Sequence, residues 1–156
     1  MAKQYQPYQG TNVTVSRSQA MIEKMLQEHG AVKIHFFKDF EKYMVVMAWE
    51  RKFIIDDNPV VQPLAHHITF KDKKEMQVYR ALYYHLKAKF EAVDFEIVSF
   101  EEEFLPYFVM KFPDGSSGTI AEYFIPDLKR GSLPPFKPLG NLELTSGNID
   151  YEIMDD

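Results

Sequence analysis

Apolar positions recur at three- and four-residue spacing in two stretches of this chain and at two-residue spacing in a third, a mixture that predicts an α+β fold. Downstream of Lys73, the residues Met76, Tyr79, Leu82, Tyr83, Leu86, Phe90 and Val93 form one stripe. That spacing predicts an amphipathic helix of about five turns, with Asp72 and Glu75 in capping-box relation at its start. The opposite face of this helix carries Arg80, Tyr84, Lys87 and Glu91. A shorter stripe of Met21, Ile22, Met25 and Leu26 follows Ser16-Arg17-Ser18-Gln19, another capping-box pattern, and meets Gly30. It predicts a first helix over residues 17–29.

Beyond Gly30 the period shortens. Val32, Ile34 and Phe36 alternate with Lys33, His35 and Phe37, and after Asp39-Phe40-Glu41-Lys42 two further runs, 43–50 and 52–55, are rich in residues that favour strands. Three strands with short loops predict an antiparallel meander, with a helix on one face and another layer or a partner on the other. Residues 59–70, with Pro59, Pro63 and His66-His67, read as a loop into the long helix. Ser99 and Glu102 cap a single turn that Pro106 ends. Residues 107–112 follow as a strand, Pro113-Asp114-Gly115 as a turn, and 116–118 as a short return. Thr119 with Glu122 caps a last helix to about residue 129, which Pro126 is expected to kink or shorten. The expected fold is a small antiparallel sheet, a three-strand meander plus a later strand, packed with two or three helices. Residues 1–15 are an arm, mobile unless it docks, 16–140 a single domain, and 141–156 a disordered tail.

Composition narrows the chemistry. With 156 residues, 46% hydrophobic and 15% aromatic, the chain supports one core. It has no Cys, which removes disulfides and thiolate metal sites and suits a reducing cytoplasm. Neither an apolar leader nor a run near the roughly 18 apolar residues of a membrane span is present, so a cytoplasmic protein of the host cell, without a membrane partner, is expected. The net charge of -5 is local: residues 141–156 hold five acids and no Lys or Arg. The preceding body is neutral, so the acidic balance says little about what that body binds.

One group of blocks is familiar in combination. Arg80-Ala81-Leu82, the run Lys87-Ala88-Lys89-Phe90-Glu91-Ala92-Val93, Ser99-Phe100-Glu101-Glu102-Glu103-Phe104-Leu105, Pro113-Asp114-Gly115, Thr119 with Glu122, and Leu133-Pro134-Pro135 occur in that order. Together they resemble a family of small uncharacterised proteins of phages, prophages and related mobile elements. The resemblance covers residues 80–138, with a weaker echo over 18–31, and departs at Asp94-Phe95-Glu96-Ile97-Val98 and in the acidic tail. It implies a mobile-element context and supplies no chemistry.

Several residues carry a functional reading beside a structural one. Arg80, Lys87 and Lys89, interleaved with Tyr84 and His85, have the cations and aromatics that grip a nucleic-acid backbone and its bases. The same residues also suit a solvated helix face, with Lys87 and Glu91 as a surface pair. Arg80 can equally pair with a Glu of the acidic turn. Glu101, Glu102 and Glu103, with Asp114, can supply carboxylates to a divalent cation, whereas adjacent residues on one turn diverge by about 100 degrees and favour a helix N-terminus in any case. His66-His67 lack the His-x-x-x-His or Glu-x-x-His spacing of a metal site. There is no Gly-x-Ser-x-Gly elbow and no phosphate-cradling Gly-rich loop. These residues lead to no catalytic set, cofactor or metal. The tail Asn148-Ile149-Asp150-Tyr151-Glu152-Ile153-Met154-Asp155-Asp156 reads as solvated chain or as a short motif for a basic groove.

The expectation is a non-enzymatic accessory protein of a phage or mobile element that binds a host or phage protein, or nucleic acid. Its contact surface would be the sheet face or the stripe of Arg80, Tyr84 and Lys87, with Lys89 and Glu102 nearby. The alternatives are a metal-dependent nuclease or phosphotransferase using Glu102, Glu103 and Asp114, and an inhibitor of a host defence system.

Overall fold

A computed structural model describes residues 5–131 of the chain. It is α+β, in the order α1 (Val15–Glu28), β1 (Ala31–Asp39), β2 (Met44–Ile55), β3 (Asn58–Thr69), α2 (Glu75–Asp94), α3 (Phe100–Phe104), β4 (Val109–Lys111), β5 (Ser117–Thr119) and α4 (Ile120–Lys129). A 3-10 turn, Leu105–Tyr107, joins α3 to the second sheet. β1, β2 and β3 form an antiparallel meander, and β4 and β5 a separate hairpin. The chain divides into two compact units, Met1–Glu122 and Tyr123–Asp156, so the boundary falls inside α4. The Pro-rich exit and the acidic tail lie outside the described residues. Among the described residues, no helix is long and apolar enough to cross a membrane.

Two features of the sheet differ from the sequence expectation. The runs 43–50 and 52–55 are one strand, because Arg51 does not interrupt the ladder: its guanidinium lies 3.8 Å over the Phe100 ring and its Nε donates to the His29 carbonyl at 3.0 Å. Residues 59–70, expected as a loop, are mostly strand β3, paired with β2 without a break from Asn58 to Thr69. The return is made by Asp56 and Asp57, both at positive φ (49° and 61°), the geometry of a tight two-residue hairpin turn. Pro59 and Pro63 stand four residues apart, in one phase of the strand. Their missing N–H groups therefore fall on the edge away from β2, where no ladder bond is lost.

The register assigns the faces. Phe36, Met47 and His66 share one face, as do Ile34, Trp49 and Leu64, while Phe37, Val46 and His67 share the other. The first face is covered by Ile22 and Leu26 of α1, Leu82, Leu86 and Phe90 of α2, and Phe100 and Phe104 of α3. Trp49, 1% exposed, is ringed edge-to-face by Phe90, Phe100 and Phe104 at centroid distances of 6.3, 6.2 and 5.9 Å. A satellite of Val45, Val78 and Tyr79 extends this core. On the opposite face Phe37 remains half-exposed.

The helix starts also shift. Thr14, not Ser16, caps α1, accepting from Arg17 N at 3.2 Å. α2 begins after Lys74 with no side-chain cap, and Asp72 instead adopts φ 60° in the preceding turn. The box at Ser99 and Glu102 forms as expected, with both reciprocal bonds. Pro126 is held within α4, which continues to Lys129.

Candidate functional site

α2 positions most of the candidate residues, and the rotation of about 100 degrees per residue separates them around its circumference. Arg80 and Tyr84 are one turn apart, so they meet: Arg80 Nη2 donates to Tyr84 Oη at 3.1 Å, and Arg80 Nη1 lies 3.6 Å from Met21 Sδ. The guanidinium carbon sits 4.8 Å from the ring centroids of both Tyr83 and Tyr84. The N-terminal arm closes over this surface. Buried Gln77 donates to the Pro7 carbonyl at 2.9 Å, and Tyr8 stacks on Tyr84 at 5.2 Å with the rings 6° from parallel. The arm and α2 together line a groove of about 770 Å³ that includes Tyr5, Tyr8, Gln9, Thr11, Arg80 and Tyr84.

The other candidates lie elsewhere. Lys87 Nζ is 3.8 Å from Glu91 and borders a different cavity, between α1 and α2, whose far wall includes Lys24, Glu28 and His29. Lys89 is partly buried, 2.9 Å from Glu103 and 5.1 Å from the centroid of the Tyr107 ring. Glu102 is occupied by the cap, its Oε2 accepting from Ser99 N at 3.2 Å. Asp114 accepts from the hydroxyl and backbone N of Ser116 at 2.6 and 2.9 Å, and these bonds hold its carboxyl below the usual carboxylate range. Glu102, Glu103 and Asp114 thus serve three separate local structures. No group of three or more His, Asp or Glu residues among those described is placed to hold a metal ion.

The structure adds a cluster that the sequence reading passed over as loop histidines. His66 faces the core from β3, 2% exposed, and Tyr107 of the 3-10 turn stacks on it at 4.2 Å. Tyr107 Oη is 3.3 Å from His85 Nε2 on α2. Among the described residues, neither ring nitrogen of His66 has a hydrogen-bond partner, and Trp49 Nε1, on the adjacent ring, has none either. Burial is the main force pushing the His66 pKa down to about 3, helped by the neighbouring His85, Lys89 and His67. His85, at the rim, is lowered first by desolvation of its covered side and then by Lys89, with Glu103 opposing. A cavity of about 290 Å³ lies here, lined by His66, His67, Ile68, Ala81, Leu82, His85 and Tyr107. His67, on the opposite phase of the strand, turns outward, its Nδ1 3.3 Å from Glu122 Oε1. The alternation Leu64, His66, Ile68 was the available signal for an inward His66, masked by the two prolines.

Comparison of the chain with protein-family models, with curated proteins and with solved structures finds no match.

Proposed function

We propose that this chain is a non-catalytic accessory protein of a phage or mobile element that acts by binding a protein partner through the surface built from Arg80, Tyr84 and the docked arm. The observation that carries this reading is the fixed Arg80, held over two tyrosine rings and hydrogen-bonded to one of them. Tyr and Arg are enriched among the residues that dominate binding energy at protein interfaces, Tyr for its large rigid ring and Arg for its planar guanidinium, which both stacks and donates several hydrogen bonds. Holding them in place before contact lowers the ordering cost of association. The blocks of residues 80–138 that resemble mobile-element proteins support the biological setting. The neutral body, with 18 acids and 18 bases before residue 141, favours protein over nucleic acid, whose binders present a basic excess. An inhibitor of a host defence system is one form such an accessory protein takes.

A second reading has its own observation. Tyr8, partly exposed, continues the Tyr84 stack beside the Arg80 cation, the combination that single strands use for stacking and phosphate contact. Gel-shift and cross-linking assays with single- and double-stranded nucleic acid, on the natural chain and on Arg80→Glu with Lys87→Glu, separate the two readings. The protein reading expects no retained complex. A salt-sensitive complex that disappears in the double variant moves the assignment to nucleic acid. Loss on Lys87→Glu alone would contradict the role given to Arg80, since Lys87 borders a different cavity.

A further inference from the structure

We infer that the cavity between α2 and the 3-10 turn is a binding site for a small uncharged heteroaromatic molecule carrying both an N–H donor and a ring-nitrogen acceptor. The polar side chain at its base is His66, 2% exposed, with Nδ1 and Nε2 both unpartnered. Buried polar groups in folded proteins are paired in the large majority of cases, because an orphaned one loses its bonds to water and gains none in return. A neutral imidazole presents one donor and one acceptor, so a ligand with the reciprocal pair of groups satisfies whichever nitrogen it reaches, in either tautomer.

The walls fix the rest of the class. Ile68, Ala81 and Leu82 make one side apolar, and His66, Tyr107 and His85 make the other aromatic. The polar groups at the rim already have partners: Lys89 lies 2.9 Å from Glu103, and His67 Nδ1 lies 3.3 Å from Glu122 Oε1. A charged ligand would have to break one of these pairs, whereas an uncharged one leaves them intact. The volume of about 290 Å³ is roughly twice that of an engineered cavity that holds benzene, which suits a bicyclic ring. Tyr107 stacks on a face of His66, and the donor and acceptor directions of the imidazole lie in its plane, so a hydrogen bond to its edge leaves that stack intact.

The test uses the full chain, isotopically labelled, titrated at neutral pH with benzimidazole and separately with indene, which has the same bicyclic shape with neither donor nor acceptor. Saturable shifts at His66, His85 and Ala81 are expected, with benzimidazole binding about tenfold more tightly than indene, the worth of one added hydrogen bond. Ala81→Leu, which fills the cavity from α2 without touching the histidine, abolishes the shifts while the rest of the spectrum is kept. His66→Phe keeps the stacked ring and removes the nitrogens, so the two probes become equal. No saturable shift at these residues with either probe overturns the inference, and so does equal affinity of the two for the natural chain. Shifts that persist in Ala81→Leu place the probe elsewhere and overturn it as well.

Discussion

Tyr107 lies flat on His66, ring centroids 4.2 Å apart and planes 19° from parallel, and so seals a neutral imidazole into the core. The consequence is an acid-sensitive fold. His66 titrates near 3 in the folded chain against 6.5 for an ordinary histidine, so the unfolded chain binds the proton first. Its contribution to stability is fully present above about pH 6.5 and drains away as pH falls toward 3. Each pH unit in that window removes about 1.4 kcal/mol, for a loss on the order of 3 kcal/mol between pH 6.5 and pH 4. Urea unfolding at several pH values checks this, and His66→Phe should flatten most of the slope between those limits. An equally steep acid dependence in the variant would assign the sensitivity to other groups.

α2 ends in a strained residue. Ile97 N bonds to the Ala92 carbonyl at 3.0 Å, closing the last turn, and this places Glu96 at φ 59°, a conformation that glycine adopts without cost. Glu96 is exposed and makes no ion pair with any described residue. Glu96→Gly should stabilise the protein by about 0.5–1 kcal/mol, read as a rise in the denaturation midpoint with unchanged cooperativity.

Ser99 anchors the turn that brings Phe100 and Phe104 to Trp49. Its hydroxyl accepts from Glu102 N at 3.1 Å. Ser99→Ala should cost about 1 kcal/mol. Because the cap orients two core rings and not a solvent-facing helix, the same change should alter the fluorescence of Trp49, the single tryptophan of the chain.

The arm is held by few contacts, and the most buried is the one from Gln77, 4% exposed, to the Pro7 carbonyl. Gln77→Leu removes that bond without opening a cavity. It should release the arm at a cost of about 1 kcal/mol, seen as faster protease cleavage between residues 5 and 14 while the core remains resistant.

The stripe of α2 was legible because packing and periodicity agree: Tyr79, Leu82, Leu86 and Phe90 are all nearly fully buried, and Tyr84 and Lys87 face outward as the spacing implied. The cap at Ser99 and the turn at Gly115, at φ 87°, were legible for the same reason, being local. β3 was not. Proline breaks a central strand, whereas at an edge strand it sacrifices no ladder bond, and edge position is a property of the sheet, invisible in the strand. Arg51 misled similarly, since its burial depends on Phe100, 49 positions away in sequence. Within the candidate site, the meeting of Arg80 with Tyr84 follows from one helical turn, while the arm's return onto them and the stacking of Tyr107 on His66 are long-range contacts that no local pattern encodes.

The central claim is that Arg80 and Tyr84 form the contact surface for a protein partner. Its most direct test places a photo-reactive benzoylphenylalanine at position 9, where exposed Gln9 lines the same groove, or at position 95 as a control on the exposed Phe95, in bacterial cells producing the protein. The account predicts one discrete protein adduct from position 9, absent from position 95, and lost when Arg80 is also changed to Glu. The same adducts from both positions, or a position-9 adduct that persists in Arg80→Glu, would contradict it.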